Sequence, residues 1–256
     1  MAGKIPRLII NMAPRHGKSE LVSHWFPVWF LDTFPQFRVI LTSYEADYAA
    51  SWGRKVRNTI QAHQEELRVR ISSDSSAANR WDTTDGGGMN TAGAAGPITG
   101  KGANVLIIDD PHKDREQAES EVYREKIWDW WTGTARERLE PMPWAPHGVA
   151  ILMMTRWHTD DLASRLIARK VDLVEEAQYA LPWYVYKLPA LALDNDPLGR
   201  APGEALWPEK YSREALLTTK AEISPYDWEA EYQQSPIMKA GSLFRREYFY
   251  PIEVLA

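Results

Sequence analysis

Residues Arg7 to Leu21, RLIINMAPRHGKSEL, carry an apolar run straight into a turn that closes on Gly17-Lys18-Ser19 and opens a helix. That is the arrangement of a phosphate-binding loop. A buried strand fixes the loop, a bend of backbone N–H groups surrounds an anion, a lysine meets the outer phosphates and a hydroxyl meets magnesium. The usual spacing G-x-x-x-x-G-K-[ST] has Met12 in place of its first glycine here, and Pro14 stiffens a loop that is ordinarily glycine-rich. On this reading Ala13, Pro14, Arg15, His16 and Gly17 wrap the anion, with amides from all of them but Pro14, which has no N–H, and Glu20 lies in the first turn of the helix whose N-terminus faces it. Lys18 reaches the β- and γ-phosphates and Ser19 the metal. The plain alternative is an ordinary strand-to-helix turn, and the downstream sequence weighs against it.

At 256 residues the chain can bury a substantial core and is expected to form one α/β domain with a small appendage. With 44% hydrophobic residues and 12 tryptophans it is no disordered chain. The formal charge of −5 excludes a uniformly basic nucleic-acid coat, so any DNA contact must come from a local basic face. The absence of cysteine excludes a disulfide scaffold and thiolate metal sites. The histidines lack metal-ligand spacing. Neither a signal peptide nor a membrane-spanning run is visible.

Working outward from the loop, residues 18–33 read as a helix with a kink at Pro27, residues 37–43 as a strand, and residues 45–63 as a helix bearing Arg54, Lys55 and Arg57. Those cations are either a solvated face or a track for DNA phosphates. Residues 71–100 read as short strands and turns, with a hairpin around Trp81 and Met89. Residues 103–109 form an apolar strand ending in Asp109-Asp110, and four apolar residues in a row suit a parallel strand covered on both faces. Carboxylates at its C-terminal end lie where open α/β sheets bind ligands. A helix over 116–131, a strand over 148–155 and a helix over 160–170 follow. Beyond residue 172 prolines and aromatics become frequent, and helices are expected over 212–221 and 224–233.

The motifs MAPRHGKSE (12–20), ITGKGANVLIIDDP (98–111), WDWWTGTARERL (128–139), TRWHTDDL (155–162) and WEAEYQQSP with GSLF after it, in this order, resemble the large terminase subunit of tailed bacteriophages. The resemblance covers nearly the whole chain. It implies a three-layer P-loop ATPase of the ASCE type, with a mostly parallel sheet over residues 1–171 and a small lid or connector over 172–256. In that family the ATPase moves double-stranded DNA through a portal ring into a procapsid. The work is done in the host cytoplasm at the portal vertex, with a small terminase subunit and a self-assembled ring, expected to be a pentamer. The family also carries a metal nuclease domain after a GSLF-like connector and a stretch ahead of the first strand that helps hold adenine. The chain runs to Ala256, so nuclease activity is not expected of it.

Carried onto matching positions, the resemblance implies ATP and Mg2+ as cofactors. Asp109 holds magnesium with Ser19, Arg15 adds a guanidinium to the phosphates, and Thr155-Arg156 stands at the coupling motif that senses the γ-phosphate. Asp110 is the first candidate for the catalytic base, one methylene shorter than the glutamate many relatives use. Glu116 and Glu119 are the alternatives. Lys101 sits near the place of a cation offered to the neighbouring subunit, with Arg136, Arg138 and Arg156 as other candidates. Such a cation raises rates by ~10³–10⁵ in related enzymes.

Overall fold

The computed structural model describes residues 5–98, 100, 102–168 and 180–238. Its frame is one sheet of eight strands in the order β3-β4-β5-β2-β6-β7-β1-β8. These strands are β1 (Arg7–Met12), β2 (Arg38–Ser43), β3 (Ile71–Ser76), β4 (Arg80–Thr83), β5 (Gly88–Gly93), β6 (Val105–Asp109), β7 (Val149–Met154) and β8 (Tyr184–Leu188). From β5 to β8 all neighbours are parallel. β3 and β4 extend the far edge antiparallel, and Trp81 stands opposite Met89, as the hairpin reading expects. The loop strand β1 and the acidic strand β6 are not neighbours, because β7 lies between them. That interposed strand is the mark of the ASCE type.

The central strands are apolar throughout because both faces are covered. On β6, Leu106 and Ile108 point to one layer, with Ile9, Leu152, Ile127, Trp130, Trp131 and Leu162. Val105 and Ile107 point to the other, with Val28, Leu31, Val56, Ile60, Trp81 and Met89. The period of two along the strand thus sorts alternate residues into two cores. Each fully buried aliphatic side chain of this size contributes roughly 1.5–3 kcal/mol before entropy is counted. The second layer is built from α1 (Phe26–Thr33) and α2 (Ala46–Ala62), the first from α4 (Glu121–Trp130) and α5 (Leu162–Ala168).

Two local readings need correction. The kink expected at Pro27 is instead a π-helical turn over Glu20–Trp25, and Pro27 then occupies the first turn of α1, where its missing N–H costs nothing. The helix expected over 116–131 is two, α3 (Arg115–Glu119) and α4, each opened by its own cap. Asp114 accepts from the Gln117 amide at 3.0 Å and Ser120 from the Tyr123 amide at 3.3 Å. On α2, Lys55 is exposed and pairs with Glu20 and the Trp52 ring, and both readings of the Arg54, Lys55 and Arg57 face stand.

Past residue 180 the chain first gives β8 back to the same sheet, beside β1. The boundary expected at 171/172 falls in residues 169–179, outside the described residues, as do the end of the 160–170 helix and the GSLF segment at 241–244. Helices Arg213–Glu222 and Pro225–Asp227 follow, the second continuing as a π turn to Tyr232. Ser212 and Ser224 cap them. A third cluster, Ala190, Leu191, Ala205, Leu216 and Trp228, closes over Ala13 at the root of the loop.

Candidate functional site

The C-terminal ends of β1, β6 and β7 converge on one spot. Met12 and Ala13 end β1 buried, and the Thr155 hydroxyl donates to the Met12 carbonyl at 3.3 Å, tying the end of β7 to the root of the loop. The loop then turns through two left-handed residues, Arg15 at φ 58° and Gly17 at φ 88°. Arg15 thus supplies a bend that glycine usually makes, which costs roughly 1–2 kcal/mol for a residue with a Cβ. The helix begins at Lys18, and Leu21 N–H closes its first turn on the Gly17 carbonyl at 3.0 Å. The loop amides therefore sit at a helix N-terminus, the arrangement that holds anions.

Lys18 is 8% exposed, and its Nζ lies 2.7 Å from Asp110 Oδ2. Burial opposes its charge, but the Asp110 carboxylate outweighs burial and the lysine pKa ends above its ordinary value. The other oxygen of Asp110, Oδ1, accepts from the Thr155 amide at 2.8 Å. Asp110 is itself left-handed, at φ 44°, and its backbone bonds to both neighbouring strand ends: its N–H donates to Met153 at 2.8 Å and its carbonyl accepts from Tyr44 at 3.1 Å.

Asp109 is fully buried. Burial first, and the adjacent Asp110 charge second, push its carboxyl well above the usual range. Ser23, Lys18 and Ser19 pull the other way. Ser19 Oγ donates to Oδ1 at 3.2 Å and Ser23 Oγ to Oδ2 at 2.7 Å. Lys18, Ser19, Asp109, Asp110 and Thr155 are thus brought into one cluster. A carboxylate and a hydroxyl side by side, next to the loop amides, form an all-oxygen set that fits magnesium, a cation usually held by one or two carboxylates plus substrate phosphates. Among the described residues no three His, Cys, Asp or Glu side chains are grouped to hold a metal by themselves.

The remaining candidates divide. Arg15 is exposed on the loop turn, and its carbonyl accepts from Lys210 Nζ at 2.8 Å. His16 is buried, with Nδ1 2.8 Å from the Pro14 carbonyl, and burial lowers its pKa. The Glu20 carboxylate turns away to His24 and Lys55, so its backbone is what faces the loop. Glu116 is exposed on α3, and Glu119 accepts from the Tyr226 hydroxyl at 3.0 Å. Arg156 is buried in an ion pair with Asp161 at 2.6 Å and bonds Ser164, all within its own chain. Arg136 and Arg138 form a short turn joined to Ala103, ahead of β6 and at the opposite end of that strand from Asp109. Lys101 lies outside the described residues. Sequence reasoning missed Ser23, although its place one helical turn after Ser19 was a usable signal. It also missed Trp207, Lys210, Tyr211 and Gln234. Gln234 accepts from the Arg156 amide at 3.0 Å, and no local pattern announces a partner that far along the chain.

Residues 9–250 match the family described as terminase large subunit, T4likevirus-type, N-terminal. The chain belongs to this family. No curated protein sequence matches the terminase chain. Among solved structures it is similar to the large terminase ATPase domain of Thermus phage P74-26, at 15% identity and a TM-score of 0.55, covering 91% of this chain and 90% of that one. The large terminase of bacteriophage HK97 aligns at 15% identity and a TM-score of 0.51, over 90% of this chain and 46% of that one. The large terminase of a thermophilic bacteriophage aligns at 9% and 0.52, over 96% and 53%. At these identities the likeness is one of fold. The terminase chain spans about half the length of the two larger relatives. Among the described residues no helix is long and apolar enough to cross a membrane.

Proposed function

We propose that this chain is the ATP-hydrolysing motor domain of a phage DNA-packaging terminase, driving double-stranded DNA through a portal ring into a procapsid. The observation that carries the reading is the convergence of Lys18, Ser19, Asp109, Asp110 and Thr155 at the ends of three parallel strands. Phosphoryl transfer is mostly positioning and charge stabilisation, and these are the groups it needs. The loop amides and Lys18 bind the phosphate chain. Ser19 and Asp109 would hold Mg2+, which supplies charge neutralisation of the phosphates when bound. Asp110 is the base. When phosphates draw Lys18 away, Asp110 Oδ2 loses its partner and becomes free to accept a proton from water, while Thr155 N–H keeps the carboxylate aimed through Oδ1. Arg15 adds charge from the loop turn. Lys101 serves a neighbouring subunit in a ring of five, the part of residues 172–256 that follows β8 acts as lid and connector, and the portal, the small subunit and the host cytoplasm complete the setting.

Two substitutions test this together. Lys18→Ala should abolish ATP binding or turnover. Asp110→Asn, nearly isosteric, should keep magnesium-ATP binding while single-turnover hydrolysis falls by orders of magnitude. Parent-rate hydrolysis by Lys18→Ala would sink the loop assignment, and normal turnover by Asp110→Asn would move the base to Glu116 or Glu119. A second reading, a ring component that binds nucleotide without turning it over, draws on the short reach of Asp110. Absence of single-turnover hydrolysis in the DNA-bound parent would favour it.

A further inference from the structure

The site described accounts for the phosphate end of a nucleotide and assigns none of the described residues to its base. Strand order decides the side. Asp109, Asp110 and Thr155 end β6 and β7, on one flank of β1, so the outer phosphates lie on that flank. A nucleotide held so runs across the loop toward the other flank, where β8 and the segment after it stand. That segment packs directly on the loop. A Cβ built on Gly17 would stand 3.6 Å from Trp207 Cζ3, and the His16 and Tyr211 rings lie 4.8 Å apart. Lys210 Nζ, bonded to the Arg15 carbonyl, lies 4.7 Å above the Trp207 ring and 5.2 Å from that of Tyr211. These contacts fix the indole against the loop by cation–π and backbone bonding at once. Yet Trp207 remains 38% exposed, which leaves part of a large aromatic surface open beside the phosphate-binding amides.

We propose that Trp207 is the platform on which the base of the bound nucleotide stacks. The proposal rests on the phosphate-loop reading and assigns the other half of the same ligand. Every base offers a π-face, so an indole held in place binds it without needing a particular set of hydrogen bonds.

The test compares two ligands that share phosphates and differ in the base: magnesium-ATP and magnesium tripolyphosphate, titrated calorimetrically into the parent chain, Trp207→Ala and Trp207→Phe. In Trp207→Ala the dissociation constant for ATP should rise about tenfold, which corresponds to about 1.4 kcal/mol. Tripolyphosphate affinity should stay within about twofold of the parent, which also shows the loop intact. Trp207→Phe should restore most of the ATP affinity. Equal loss of both ligands would mean that the ring merely shapes the loop, and unchanged ATP affinity would mean that the base lies elsewhere; either overturns the platform and spares the phosphate loop. A parent chain that binds neither ligand would overturn both.

Discussion

His112 stands two residues after the acidic pair and is 3% exposed, with neither ring nitrogen hydrogen-bonded among the described residues. Burial pushes its pKa down to about 4, with Arg124 and His158 adding to the fall and the Asp161 and Asp110 charges opposing it. An unfolded histidine titrates near about 6.5, so between the two values the unfolded chain binds a proton that the native chain refuses. Stability must therefore fall as pH drops from about 6.5 toward 4, by about 2 kcal/mol at pH 5. Asp109, with its raised pKa, works in the opposite sense, so the measurement is a difference. Urea denaturation at pH 7.5 and pH 5 should show a loss in the parent that exceeds the loss in His112→Phe by this amount; equal losses would place the imidazole in contact with water or a proton donor. At this scale the sequence was legible where chemistry is local. Lys18, Ser19, Asp109, Asp110 and Thr155 sit in short motifs, and the structure gathers them. What it could not reveal is the state they rest in, because the Lys18–Asp110 pair depends on the relative height of two strand ends that no motif encodes.

At the scale of elements, α5 hangs on one side chain. Asp161 Oδ1 accepts from the Ser164 amide at 2.9 Å, capping the helix, while Oδ2 takes Arg156 Nε at 2.6 Å, and both partners are buried. Arg156 follows Thr155 directly, so the cap also pins the end of β7 behind Asp110. Asp161→Ala removes the cap and strands a buried guanidinium, a loss expected at about 3–5 kcal/mol. Asp161→Asn keeps a capping oxygen and should lose less. The urea midpoint of both variants checks this, and a loss under about 1 kcal/mol for Asp161→Ala would show that Arg156 finds another partner. The start of α5 was readable from Asp160-Asp161-Leu162. Its bond to Arg156 was not, because the pair spans a turn. The break at Ser120 was readable too, since a serine with an acidic residue, Glu121, in the turn after it is a helix-start signal, but the apolar spacing on either side masked it.

For the whole molecule, the strand directions bear on Lys101. Ala103 bridges Leu139 ahead of β6, whereas the acidic pair stands at its other end. A strand of five residues spans about 16 Å, and that length separates Ala103 from the acidic pair. The proposed action of Lys101 on a neighbour's site has a direct test. Lys101→Ala should then leave the ATP affinity of the isolated chain nearly intact and collapse turnover in the ring. Mixed with Lys18→Ala subunits it should regain activity that neither has alone. Rings shown by mass to hold both variants, yet inactive, would pass the role to Arg136 or Arg138. The α/β class and the apolar central strands were legible in the residues, and the insertion of β7 beside β1 only through the resemblance that implied the ASCE type; the return of β8 to the other side of β1 was not, since strand order leaves no local trace. That order has a consequence for synthesis. Leu8 stands opposite Ile151 on one side and Tyr184 on the other, so a ribosome making ~5–20 residues per second finishes β1 on the order of ten seconds before its first neighbour exists. The strand that leads into the Gly17-Lys18-Ser19 loop waits unpaired through most of translation, apolar and open to other chains, and the loop it carries is among the last parts of the molecule to take shape.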